Sequence, residues 1–286
     1  MENDRYGTSA HARVWLITGA SSGFGHELSR AVLANGDRLV ATARDRSAIE
    51  PLEHEHTGRA RALALDVTDA AAASAAIEQA VSAFGRLDVV VNNAGSGYFG
   101  AIEELTEEDL RRQFEVNVFG TLNVTRAALP RLRAQRSGQL VQISSLNGVI
   151  GLIGGGAYAG SKFAVEGISE SLAQEVAHLG ITVTIVEPGP HRTGFAGDRA
   201  RMAEPIDDYA DSVGIAREAF AQMDGNQPGD PALAAQAIIR AVEADTPPLR
   251  LPLGETAVTS IRGKLDEQRR ELDEWLDLSL STDAPA

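Results

Sequence analysis

Val14-Trp15-Leu16-Ile17-Thr18-Gly19-Ala20-Ser21-Ser22-Gly23-Phe24-Gly25 joins an unbroken apolar run to a glycine-rich turn, and a helical pattern follows. Apolar residues in succession suit a strand covered on both faces. Glycines at the strand end permit a tight turn and let backbone N–H groups approach a pyrophosphate, which the start of a helix also favours. The spacing is Gly-x-x-x-Gly-x-Gly rather than the commoner Gly-x-Gly-x-x-Gly.

Six further runs repeat the strand pattern: Leu39–Ala43, Ala62–Leu65, Leu87–Val91, Gln139–Ile143, Thr182–Val186 and Leu249–Leu253. Helical patterns lie between them. Thr106 with Asp109 reads as a capping box, and Asp230-Pro231 as an N-cap followed by proline at the first helical position. Gly85 and Gly180 sit where helices should end. Strands alternating with helices predict an α/β fold, a single doubly wound Rossmann-type domain with a seven-stranded parallel sheet and helices on both faces. The expected organisation is an N-terminal tail over 1–12, the domain over 13–254, and a helical extension and tail over 255–286. Within the domain, 190–229 has no clear period but carries Phe195, Met202, Tyr209, Phe220 and Met223, which suggests a lid rather than a linker.

With 43% hydrophobic and 23% charged residues, the composition is that of an ordinary globular protein. No cysteine is present, which excludes disulfides and thiolate metal sites and fits a cytoplasmic location. No metal is expected. The polar segment Met1 to Ala12 lacks the apolar core of a signal peptide, and no run is long enough to span a membrane. A formal charge of −14 argues against nucleic acid as a partner.

Tyr158-Ala159-Gly160-Ser161-Lys162 places a phenol and an ammonium four residues apart, on one face of a helix. A cation there is expected to favour phenolate and lower the tyrosine pKa. Lys162 and Lys264 are the only lysines among 26 basic residues, so the pairing is unusual for this chain.

Together these motifs resemble the short-chain dehydrogenase/reductase family in its compact, NADP-preferring branch, with a looser likeness to hydroxysteroid- and retinol-dehydrogenase-like members. The likeness runs from about Arg13 to Thr193, and more loosely to Gly254. It implies a cofactor site over Gly19, Ser21, Ser22, Gly23, Phe24 and Gly25, with Asp66 and Val67 at the adenine and Asn93, Ala94 and Gly95 along the cleft. Pro188, Gly189 and Thr193 would hold the nicotinamide, and Tyr158 and Lys162 would reach it. The resemblance makes Asn117, Ser145, Tyr158 and Lys162 catalytic, with Ser145 preferred over Ser144 by its distance from Tyr158. Ser145, Asn147 and Tyr158 would meet the substrate.

Ala43 stands where an NAD-preferring site carries an acid, and Arg44 follows it. Alanine leaves room for a 2′-phosphate and the guanidinium can bind it, so NADP(H) is the expected cofactor. The alternative makes Arg44 an ordinary loop residue and Asp45 the acid. The expected reaction is hydride transfer between NADP(H) and a carbonyl or secondary alcohol, an apolar one given Tyr98, Phe99, Leu146 and the lid. The resemblance also implies a homodimer or homotetramer through the helices after the fourth and fifth strands. The alternatives are a monomer whose C-terminal helix covers one face, and a catalytically weak regulatory protein on the same fold. His191, near Thr193, reads more readily as a packing residue than as a catalyst.

Overall fold

A computed structural model describes residues 12–195 and 200–284. The N-terminal tail through residue 11, lid positions 196–199 and the last two residues lie outside the described residues. In chain order the strands are β1 (Val14–Ile17), β2 (Arg38–Ala43), β3 (Ala60–Ala64), β4 (Val89–Asn92), β5 (Gly97–Phe99), β6 (Gly138–Ile143), β7 (Ile181–Pro188), β8 (Ala200–Met202) and β9 (Arg250–Leu253). The helices are α1 (Gly23–Ala34), α2 (Glu50–Glu55), α3 (Ala70–Phe84), α4 (Glu107–Phe114), α5 (Gly120–Gln135), α6 (Gly156–Val176), α7 (Ile215–Met223), α8 (Pro231–Glu243), α9 (Glu255–Glu274) and α10 (Leu276–Leu280).

Seven strands form one parallel sheet in the order β3-β2-β1-β4-β6-β7-β9. Each of the seven apolar runs became a strand. The reason is visible in β1, where neighbours point to opposite faces. Trp15 and Ile17 join Leu28 and Val32 of α1 and Ile238, Ile239 and Val242 of α8 in one core. Val14 and Leu16 join Ile77 of α3, Val124 and Leu132 of α5 and Leu172 and Val176 of α6 in the other. A strand that feeds two cores has no solvent face, so its sequence does not alternate.

The helix ends follow their local chemistry. Thr106 and Asp109 exchange both bonds of a capping box, and Asp230 caps α8 ahead of Pro231. Gly85 and Gly180 take the left-handed conformation beyond their helices. Between α4 and α5 the chain widens into a π turn over Glu115–Phe119, with Asn117 buried at its centre.

Two features departed from the sequence reading. The lid is not irregular throughout: β8 pairs in parallel with β5, and α7 follows. The C-terminal helix packs on the domain only at its start, where Ala257 and Ile261 are buried against Leu146, and among the described residues it is exposed beyond Ile261 apart from a half-buried Lys264. Among the described residues, no helix is long and apolar enough to cross a membrane.

Candidate active site

The strand order reverses between β1 and β4, which opens a crevice at their carboxyl ends. The loop after β1 forms its floor. Gly19 and Gly23 have φ of +66° and +56°, a region that favours glycine. A Cβ on Gly25 would come within 2.5 Å of the Gly19 carbonyl and would also strike the Asn93 amide. Asn93 braces this turn, its Nδ2 donating to the carbonyls of Thr18 (2.8 Å) and Gly19 (3.1 Å). The Thr18 hydroxyl in turn accepts from the backbone N–H groups of Asn93 and Ala94 at 2.9 and 3.0 Å. Ser22 is the N-cap residue of α1, yet its side chain caps nothing, and its Oγ is buried without a partner among the described residues. A compact glycine cradle with an orphaned hydroxyl at a helix N-terminus fits a dinucleotide pyrophosphate. Ser21 lies half-buried in the same turn. Phe24 packs edge-on against His191, ring centroids 5.0 Å apart.

Along the nucleotide side, Arg44 is exposed just past β2, and among the described residues it makes no ion pair. Asp45 is committed to its own turn, accepting from Ser47 N (2.9 Å) and Ser47 Oγ (2.7 Å). Those bonds hold its carboxyl below the usual range. Asp66 likewise accepts from the Thr68 amide, which lowers its pKa against partial burial, with the Thr68 hydroxyl, Arg112 and Arg44 adding to the effect. The Val67 side chain belongs to the core, packed against Gly120, so its side chain is not aimed at a nucleotide.

Across the crevice stand the remaining site residues. Ser145 follows β6, and its Oγ accepts from the Asn147 N–H at 3.1 Å. Tyr158 and Lys162 share a face of α6. The Lys162 ammonium is buried, donates to the Ile143 carbonyl at 2.8 Å and lies 5.7 Å from the Tyr158 ring centre. An ammonium has three donors, so two remain for other partners. Burial lowers the Lys162 pKa to about 8, with Glu166 opposing. The expected lowering of the tyrosine is not found. Burial pushes the Tyr158 phenol up to about 12, and a hydrogen bond with Ser145 pulls the other way. Loss of hydration is the dominant cause here.

Asn117 is placed by the π turn. Its Oδ1 accepts from Ser96 N at 2.9 Å, and its Nδ2 donates to Ser96 O (3.1 Å) and Ser161 Oγ (3.0 Å). Ser161 donates to the Tyr158 carbonyl at 2.7 Å and so ties Asn117 to α6. A Cβ on Gly95 would sit 3.3 Å from Asn117 Oδ1 and 3.8 Å from Lys162 Nζ, so this glycine separates the two side chains. Pro188 ends β7, and the Gly189 N–H bonds Leu253 O at 2.9 Å. Thr193 comes back across to lie against Gly23, where an added Cβ would be 3.3 Å from the Thr193 Cβ.

The lid aromatics and Phe99 were expected near the pocket; sequence reasoning missed how they pack together and several polar participants. Phe99, Phe195 and Phe220 gather at Tyr158, with ring centroids 5.5 Å (Phe99–Tyr158), 5.4 Å (Tyr158–Phe195) and 4.9 Å (Phe99–Phe220). Tyr98 instead points away into a satellite cluster with Leu105 and Ala157, because neighbours on β5 face opposite sides. Leu146 packs with Ala257 and Ile261 under the start of α9. Gln113 is fully buried, accepting from Tyr98 N (2.7 Å) and donating to Ser96 O (2.8 Å). Ser161, inside the Tyr158–Lys162 motif, was the one signal available for this network. Behind Ser145, the buried Glu166 and Glu187 both lie 3.4 Å from Arg250 Nε. Burial, with repulsion from Glu166, pushes Glu187 up to about 7 against the pull of Arg250. His191 packs below the lid base, its ring filling the space a Gly229 side chain would need, and its Nδ1 lies 2.9 Å from Gly189 O.

Residues 13–204 match the short chain dehydrogenase family model. A short-chain dehydrogenase structure from Streptomyces avermitilis superposes with a TM-score of 0.90 at 46% identity, covering 96% of this chain and 100% of that one. An alcohol dehydrogenase from the archaeon Thermococcus sibiricus, complexed with 5-hydroxy-NADP, gives 0.70 at 26% identity over 85% of this chain and 96% of its own. A 3-ketodihydrosphingosine reductase of Bacteroides thetaiotaomicron is 39% identical, over 85% of this chain and 88% of its own length. The chain belongs to the short-chain dehydrogenase/reductase family, and it is an oxidoreductase on a nicotinamide dinucleotide-binding fold.

Proposed function

We propose that this protein is an NADP(H)-dependent carbonyl reductase acting on apolar ketones or aldehydes, with Asn117, Ser145, Tyr158 and Lys162 as its catalytic set. The carrying observation is the convergence of Ser145, Tyr158 and Lys162 on one pocket at the switch point, backed by Asn117 through Ser161. A nicotinamide bound in the crevice supplies the hydride. Tyr158 gives its phenolic proton to the substrate oxygen, and Ser145 donates a hydrogen bond where negative charge develops. Lys162 keeps two donors free for ribose hydroxyls while Ile143 O holds its third.

The preference for NADP(H) rests on β2. Ala43 offers no carboxylate, Arg44 is exposed at the rim with no ion pair among the described residues, and Asp45 is occupied by Ser47. The apolar substrate reading rests on the ring wall of Phe99, Phe195 and Phe220 around the phenol, and a reductase of 3-ketodihydrosphingosine among the relatives agrees with it. Self-association through α5 and α6 is supported by exposed Phe119 (52%), just ahead of α5, and exposed Phe163 (45%) on α6. The test is NADPH and NADH oxidation over a panel of ketones and aldehydes of increasing size. We expect higher kcat/KM with NADPH and with bulky apolar carbonyls. Preference for NADH would overturn the cofactor assignment, and no turnover on any carbonyl would favour the regulatory alternative.

A further inference from the structure

The only buried residue of α4 is a polar one, Gln113, in a helix otherwise rich in Glu and Arg. Burying an amide costs free energy unless its donors and acceptor are engaged. Here they are. Oε1 accepts from Tyr98 N at 2.7 Å, and Nε2 donates to Ser96 O at 2.8 Å and to Ser161 Oγ at 3.4 Å. The two backbone partners fix the orientation of the amide, since an N–H only donates and a carbonyl only accepts.

Both backbone partners belong to one edge of β5. The opposite edge pairs in parallel with β8, where Phe99 O accepts from Ala203 N at 2.8 Å. Among the described residues no other strand pairs with β5. An open edge presents unpaired N–H and C=O groups, here Tyr98 N and Ser96 O, two residues apart. One residue of a parallel neighbour would engage such a pair, and the Gln113 side chain engages it instead.

What this edge carries is the ring wall. Tyr98 and Phe99 face opposite sides of β5, Tyr98 toward Leu105 and Ala157, and Phe99 toward Tyr158 and Phe220. A Cβ on Gly97 would lie 2.8 Å from Phe195 Cζ and closer still to the Phe99 ring. The rings therefore rest on bare backbone at the residue between the two bonded groups. Tyr158 and Lys162 take their positions from α6 instead.

We infer that Gln113 is a specificity-determining positioning residue: its amide stands in for a neighbouring strand along β5 and so fixes the Phe99 ring beside Tyr158 for bulky apolar carbonyls. The substrate half of this inference rests on the reading of the protein as an apolar-carbonyl reductase.

Two variants of similar size test it. Gln113→Met keeps neither bond, and Gln113→Glu sets a second oxygen against the Ser96 carbonyl. The readout is the ratio of kcat/KM for benzylacetone to that for acetone, with NADPH. Effects passing through Ser161 and Asn117 act on both ketones and cancel in the ratio. Each variant should lower the ratio by roughly 2- to 12-fold, the scale of one aromatic contact. Combined with Phe99→Ala, neither should lower it further than Phe99→Ala alone, because the two changes act through one ring. A parent-like ratio in both variants, even with a lowered Tm, would make Gln113 purely structural, and losses that multiply would show that it does not act through Phe99. Amide exchange followed by NMR needs no substrate. The Tyr98 N–H should exchange on the order of tenfold faster in either variant, while the amides of β1 keep their parent rates. Unchanged exchange at Tyr98 refutes the strand role. A parent enzyme that turns over neither ketone would instead defeat the reductase reading, and Tyr98 exchange would still decide what Gln113 does for β5.

Discussion

On the β1–β4 side the crevice is made of backbone, while on the β6–β7 side it is made of side chains brought from far apart. The first side depends on left-handed Gly19 and Gly23, the tight approach of Gly25, and the Thr18 and Asn93 bonds that hold the turn. The second assembles Ser145, Tyr158 and Lys162 with Phe99 from β5, Phe195 from the lid and Phe220 from α7. A shared cofactor needs one invariant backbone shape, whereas a substrate is fitted by rings that could be exchanged without moving the sheet. The lid is correspondingly fastened by its own contacts: buried Glu104 accepts from Ile206 N at 2.9 Å and pairs with Arg217 at 3.1 Å.

The hardest test of this division falls on the side-chain half. Tyr158→Phe should lower turnover by roughly 10²–10⁴-fold, since only the proton donor is lost. NADPH binding, followed by fluorescence titration, should hardly change. Retention of most activity would remove Tyr158 as the acid. Ser145→Ala should cost on the order of 10²–10³ in kcat, again with little effect on the cofactor.

On the backbone half, a side chain enters the argument mainly at Arg44. Replacing it with alanine removes charge-assisted bonds contributing roughly 1.5–3 kcal/mol, about a ten- to hundredfold loss of NADPH affinity. NADH affinity should stay near its starting value, and an equal loss for both cofactors would mean that Arg44 does not read the phosphate.

A smaller change is expected at the ring wall. Phe99→Ala should raise KM for bulky apolar ketones by roughly 2- to 12-fold, the scale of an aromatic contact. Small ketones, which do not reach the wall, should show no such rise in steady-state kinetics. If both classes change together, Phe99 serves the lid rather than selectivity.

The least conspicuous effect concerns the buried acids behind Ser145. Glu187 has its pKa raised from 4.5 to about 7, so the native state holds this proton more tightly than the unfolded chain. Its contribution to stability is complete below about pH 4.5 and is lost as pH rises through about 7. Glu187→Gln removes that titration. Urea unfolding at pH 5 and pH 8 should therefore show a smaller decline for the variant than for the parent, and identical declines would place the proton elsewhere.

How much was legible beforehand differs between the same two regions. The strand positions, the caps at Thr106 and Asp230, and the glycine turn were legible because each is a local requirement written in neighbouring residues. Lys162 and Tyr158 were legible because one helical turn brings them together. The packing of the aromatic wall was not: Phe99 and the lid residues Phe195 and Phe220 could be named from the sequence, but their contacts with Tyr158 and one another are tertiary. Nor was the facing of Tyr98, which a one-residue difference on a three-residue strand decides.

By itself the sequence determined the doubly wound sheet, the turn over Thr18–Gly25 and the Tyr158–Lys162 pair, because periodicity and short-range stereochemistry suffice for these, whereas Asn117 and Ser145 were legible only through the family resemblance. Only the tertiary structure decided that burial dominates in setting the Tyr158 proton, that Asp45 is spent on its own turn, and that α9 is exposed beyond Ile261. Those outcomes depend on which groups exclude water from one another, and that is a property of the packed chain rather than of any segment within it.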